Sequence, residues 1–247
     1  MPAATRDWHP YCGAAPLPSD WLARWNLDPL LLLAMAGVAL LLWRSADAAS
    51  GRRMAVGAAA LSLLLFVSPL CALSSALFSA RVTHHVLLVA VLAPLLVLAL
   101  PPSRTFWRGS LAGWTGLQAM ALWLWHSPGL YAAALSGDLL YWLMQLTLLG
   151  TAAGFWAALR RAQAPAAIAA LLASTVQMGL LGALITFAGG PLYAPHLLTT
   201  EPWGLSALQD QQLAGLIMWA PSAGLYLAAA LFLTNRWLAG EERDLAS

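Results

Sequence analysis

Apolar runs of about 20 residues recur along this chain, and no other feature constrains its fold as tightly. A helix of about that length crosses roughly 30 Å of hydrocarbon. A strand crosses in about 10 residues, but it alternates apolar and polar positions, and these runs do not alternate. Backbone N–H and C=O groups must be satisfied internally in lipid, so the runs read as transmembrane helices. Composition agrees. Of 247 residues, 61% are hydrophobic and 9% charged, with mean hydropathy +0.72, too little charge to cover a soluble domain. A net charge of +2 gives no basis for nucleic-acid binding. The predicted fold is all-α, an integral membrane bundle of about seven helices.

The predicted spans are about 28–43, 54–79, 81–100, 113–135, 138–159, 165–188 and 210–234. Asp28-Pro29 places a carboxylate before a proline at a helix start, and Asp138 and Asp210 are candidate caps for the fifth and seventh spans. Pro165 sits in the first turn of the sixth. Arginines set the orientation. Arg44, Arg52, Arg53, Arg104, Arg108, Arg160, Arg161, Arg236 and Arg243 fall on one side, and Arg6, Arg24 and Arg81 on the other. The positive-inside rule then puts the N-terminus outside and the C-terminus in the cytoplasm. Trp43, Trp107, Trp114, Trp156 and Trp237 fall near the inner boundary, and Trp142 near the outer one, as an aromatic belt requires. The expected layout is an outer segment 1–27, a membrane domain 28–238 and a cytoplasmic tail 239–247. Residues 1–27 contain no apolar h-region, so no cleaved signal peptide is expected. The outer loop at about 189–209 is rich in Pro and Gly and is expected to fold against the helix ends.

Ionisable groups inside a membrane are costly and therefore informative. His84 and His85 lie near the outer end of the third span, His126 on the fourth, and Cys71 on the second. His9, Cys12 and His196 lie in outer segments, so every histidine and cysteine falls in or above the outer half. Imidazole, thiolate and thioether are ligands for soft metals such as Cu(I), and Met218 adds a thioether. Structural readings stand beside this one. Adjacent His84 and His85 point about 100° apart on a helix. His126 can instead satisfy backbone freed by Pro128. Asp210 reads as a cap, and methionine in a bundle as packing. Cys12 and Cys71 are either ligands or, in an oxidising compartment, a disulfide pair. Arg81 and Asp210 both open outer helix ends, so each is expected near the other or near the outer headgroups. Gly150 and Gly154 form a GxxxG spacing that reads as close helix packing.

Several stretches together resemble the CtaG-type cytochrome c oxidase assembly factors, polytopic proteins of the bacterial plasma membrane. They are Ser68-Pro69-Leu70 through Ser79, and Arg81 through His85 with Ala93-Pro94-Leu95-Leu96. Trp125-His126-Ser127-Pro128 through Tyr131 is a third, and Asp210-Gln211-Gln212 through Met218-Trp219 is the most specific. The resemblance runs from residue 11 to about 238. It implies a part in building a haem–copper oxidase, with copper as Cu(I) arriving on the periplasmic side. It also implies a multi-pass inner-membrane location and, as partners, oxidase subunits or other assembly factors. The expected site comprises His85, His126, His84, Cys71, Met218 and Cys12 as metal ligands, with Asp210, Gln211 and Arg81 as supporting residues. The chain departs from the family pattern at definite places. Arg81 stands at the position of a family histidine, Val82 and Val86 replace methionines, and Tyr141 and Gln145 replace two histidines four residues apart.

Two other functions fit the same residues. One is a copper or haem transporter, which the lack of internal repeats and of polar residues in the inner half disfavours. The other is a bis-histidine haem protein using His85 and His126. No GxSxG and no acid–base pair suggests catalysis, so no enzyme is expected.

Overall fold

The computed structural model describes residues 8–101 and 108–245, with side chains described through residue 240. Arg6, Arg104, Trp107 and the side chain of Arg243 lie outside that set. Every regular element among the described residues is helical. In chain order they are α1 (Pro29–Ser45), α2 (Ala49–Phe66), α3 (Pro69–Ala76) and α4 (Phe78–Leu87). A π-helical stretch (Leu88–Leu92) joins α4 to α5 (Ala93–Ala99). Then come α6 (Leu111–Trp125), α7 (Pro128–Ala134), α8 (Asp138–Leu159), α9 (Ala164–Thr186) and α10 (Ala207–Leu245). Five continuous stretches are long and apolar enough to cross a membrane: 49–66, 78–99, 138–159, 164–186 and 207–240. Their outward faces carry leucines such as Leu139, Leu184 and Leu231, which fits lipid contact. The protein is an all-α membrane bundle.

Several boundaries differ from the sequence reading for identifiable reasons. The predicted second span breaks at Val67–Ser68, because Pro69 has no N–H to donate and its ring crowds the preceding turn. The Ser68 hydroxyl accepts from Leu70 N at 3.2 Å and starts α3 afresh. The predicted fourth span breaks at His126–Ser127 before Pro128. Asp28 does cap α1, accepting from Leu30 N at 2.9 Å. Asp138 lies in the first turn of α8 and makes no cap bond there; Gly137 holds the N-cap position.

Small residues let the helices approach. A Cβ added to Gly182 on α9 would sit 2.7 Å from the Gly215 carbonyl of α10, so only glycine fits that crossing. A Cβ on Gly154 of α8 would collide with the Trp114 ring of α6. Trp156 turns its indole inward and donates to the Val89 carbonyl at 2.9 Å, satisfying backbone that the π-helical stretch leaves free. The core runs through α4, α8, α9 and α10, and α4 is its most buried member.

Candidate functional site

Helix α4 carries the polar cluster, and its placement begins with Asp210. The α4 N-cap residue is Leu77, which has no side-chain acceptor. Asp210, from the first turn of α10, supplies one across the fold. Its Oδ2 accepts from Phe78 N at 2.6 Å, and its Oδ1 accepts from Ser79 N at 3.2 Å and from the Ser79 hydroxyl. A carboxylate at this end also complements the helix dipole. Asp210 thus caps α4 rather than its own helix. The first turn fixed in this way leads directly into Arg81, His84 and His85.

Residues three and four apart share a helix face, so Arg81, His84 and His85 project from neighbouring positions. His126 meets them at the break between α6 and α7. Its ring centroid lies 5.4 Å from that of His85, and the centroids of His84 and His85 are 5.9 Å apart. All three are buried. His126 Nδ1 bonds to the Leu122 carbonyl at 2.7 Å, which requires the proton on Nδ1 and leaves the Nε2 lone pair free. That Nε2 and both ring nitrogens of His84 and His85 have no hydrogen-bond partner. Structural burial normally satisfies such atoms, so this grouping is exceptional.

Arg81 is fully buried. Its guanidinium lies 5.3 Å from the Tyr141 ring centroid, and none of its nitrogens makes a hydrogen bond. Asp210 stands about one turn away at the start of the same helix, its oxygens engaged by Phe78 and Ser79, and it forms no ion pair with Arg81. Gln145, one turn beyond Tyr141 on α8, lies beside His84 with its amide unengaged.

Cys12 and Cys71 form a disulfide. Neither offers a thiolate in this state, so the expectation that they are metal ligands is corrected in favour of the pairing. The bond pins the N-terminal segment to α3 beside the cluster, with Cys12 Sγ 3.6 Å from the Tyr141 hydroxyl. Tyr11 stacks on Tyr141 at 5.1 Å and donates to Asp28 at 2.5 Å. Burial and this bond both push the Tyr11 phenol above its ordinary range. Met218 is buried on α10 in the same core. No three or more His, Cys, Asp or Glu side chains among the described residues form a metal-holding group. The divergence of His84 from His85 accounts for this, because the adjacent rings cannot converge on one point.

The loop between α9 and α10 closes over the cluster. Gln211 accepts from Leu192 N at 2.6 Å and donates to the Ile185 and Gly190 carbonyls at 3.2 and 3.3 Å. This positions Tyr193, whose hydroxyl donates to the His126 carbonyl at 2.8 Å, a group freed by the Pro128 break. His196 is buried too. Its Nδ1 bonds to the Ala76 carbonyl at 3.2 Å, and its Nε2 accepts from the Tyr131 hydroxyl at 2.6 Å. Burial holds its pKa far below the ordinary value, at about 3, so it stays neutral at physiological pH. Tyr193, His196 and Tyr131 escaped the sequence reading as site residues, and only a histidine between prolines in a loop hinted at one of them.

A family model for the cytochrome c oxidase caa3 assembly factors (Caa3_CtaG) matches residues 34–240. The chain belongs to that family. No curated protein and no solved structure matches it. The family supplies the role, assembly of a cytochrome c oxidase, and with it the expectation of contact with oxidase components. In this fold Tyr141 and Gln145, one turn apart on α8, meet Arg81 and His84 of α4, about 60 residues earlier in the chain.

Proposed function

We propose that this protein helps assemble a haem–copper cytochrome c oxidase by holding Cu(I) transiently between His85 and His126, on the periplasmic side of the bacterial inner membrane. The observation that carries the reading is the pair itself: two buried imidazoles 5.4 Å apart by ring centroid, with the His126 Nε2 and both His85 nitrogens unpartnered. Imidazole–metal bonds of about 2 Å put opposed rings roughly 6 Å apart, and bent ligation brings them closer. The residues present therefore fit a two-imidazole ion, and copper is cargo rather than a resident cofactor. No catalytic turnover belongs to this reading.

The topology is seven spans with the N-terminus outside. α2 with α3, and α6 with α7, each count as one broken crossing. The nine-to-three arginine split supports this orientation. So does the Cys12–Cys71 bond, since disulfides persist in oxidising compartments such as the periplasm. The haem reading is weaker, because the cavity of about 790 Å³ between α1, α2 and α8 has no histidine in its lining. Deleting the gene tests the role. Oxidase activity and oxidase copper should fall at limiting copper while the oxidase genes remain expressed. Wild-type activity and copper content in the deletion strain would remove the assembly function.

A further inference from the structure

The buried charge of Arg81 lacks a counter-ion. The side chain is wholly inside the protein, its three guanidinium nitrogens make no hydrogen bond, and no carboxylate among the described residues forms an ion pair with it. Asp210 stands at the start of the same helix, but its oxygens are occupied by Phe78 N, Ser79 N and the Ser79 hydroxyl. The Tyr131 and Tyr141 hydroxyls lie against the guanidinium, but they are neutral, and their O–H groups are engaged with His196 and the Cys12 sulfur, so they offset none of its charge. A guanidinium is charged at every physiological pH, so it cannot escape this cost by losing a proton. An uncompensated buried charge is strongly destabilising, and proteins keep one only when something pairs with it.

The groups around Arg81 show what kind of partner is missing. His84 lies one turn along α4 with neither ring nitrogen engaged, and Gln145 on α8 stands beside it with both its amide NH₂ and its amide oxygen unengaged. Each can present an N–H beside the one fixed positive charge, and a guanidinium with neutral donors beside it suits an anionic acceptor. One guanidinium charge with otherwise neutral donors matches a single negative charge. Phe66 packs 5.1 Å from His84 and the Tyr141 ring 5.3 Å from the guanidinium, so an occupant has to be small. We propose that Arg81, His84 and Gln145 form a buried site for one small monovalent anion of the halide class. The site adjoins the His85–His126 pair, but it does not depend on copper being held there.

Bromide is the probe. Full-length protein in lipid nanodiscs, without copper, is titrated with bromide against gluconate at constant ionic strength. Bound bromide is measured by X-ray fluorescence and thermal unfolding is followed in parallel. The site predicts saturable uptake of one bromide per chain and an unfolding temperature that rises with bromide. Arg81→Gln should abolish both effects, Arg81→Lys should retain them in weakened form, and Gln145→Leu should weaken uptake by about tenfold, the scale of one charge-assisted hydrogen bond. If Arg81→Gln does not fold, the wild-type stoichiometry and the Gln145→Leu affinity decide. Absence of saturable uptake by folded wild-type protein, with water alone filling the site, overturns the proposal. So does uptake that is unchanged in a folded Arg81→Gln or in Gln145→Leu.

Discussion

Replacing Asp210 tests whether one side chain sets the position of the histidine-bearing helix. In Asp210→Ala, the Phe78 and Ser79 N–H groups and the Ser79 hydroxyl lose their acceptor. All three lie at a buried helix start where Leu77 cannot substitute. A lost N-cap alone costs about 0.5–2 kcal/mol. Each buried donor left unmade costs about 1–3 kcal/mol. These overlap, and a total of about 3 kcal/mol is expected, roughly a hundredfold in the folding equilibrium. Asparagine keeps one acceptor oxygen and is itself a good cap, so Asp210→Asn should lose only about 1 kcal/mol. Reversible unfolding in mixed micelles measures both variants, and Cu(I) affinity measured in parallel reports whether α4 has moved. Asp210→Ala within about 0.5 kcal/mol of wild type would refute the capping argument, using the usual scale for a neutral surface change as the yardstick. Equal losses for the alanine and asparagine variants would refute it as well.

Two further outcomes follow from the outer face. Cys12→Ser frees a loop closed over a sequence separation of 59, for which the chain-entropy relation gives up to about 4 kcal/mol. The unfolding temperature should fall and residues 8–27 should become accessible to protease; an unaltered digestion pattern would show that the bond contributes little. Docking of the outer loop should also weaken in acid. The His196 pKa is about 3 when docked, against an ordinary value of about 6.5, so a detached imidazole takes up a proton that the docked one refuses. Docking strength is then full above about pH 6.5 and falls by roughly 1.4 kcal/mol per pH unit below it, about 2 kcal/mol at pH 5. Hydrogen exchange across residues 190–204, corrected for intrinsic rates, should show more opening at pH 5 than at pH 7 in wild type but not in His196→Gln.

Much of this architecture was legible because it depends on local chemistry. Apolar run length indicates helices in lipid, Asp28-Pro29 marks a helix start and Pro128 a kink, each through an effect confined to one turn; the Pro69 break is as local, yet 54–79 reads as one span because its apolar run is unbroken. The family was legible too, because its motifs are short and keep their spacing. The roles of Asp210 and Arg81 were not. Asp210 reads as a cap for its own helix, since nothing in a local window shows that α10 begins beside α4, more than 130 residues away in sequence. Arg81 reads as a boundary residue because it follows an apolar run. Yet the helix begins at Phe78 rather than Arg81, the loop between α9 and α10 bonds to the end of α3 just before it, and Arg81 is wholly buried. The link from Gln211 through Tyr193 to the His126 carbonyl joins three separated segments, and periodicity carries no trace of it.

The most direct test of the central claim is a Cu(I) titration of the purified protein in nanodiscs, under anaerobic conditions and against a colorimetric Cu(I) chelator. Metal coordination is followed by X-ray absorption. The account predicts one Cu(I) per chain with nitrogen ligands at about 2 Å. Binding should be lost in both His85→Ala and His126→Ala and retained in Cys12→Ser, because the sulfurs are not ligands. Wild-type copper affinity in either histidine variant, or a sulfur-dominated first shell in the wild-type protein, would contradict it.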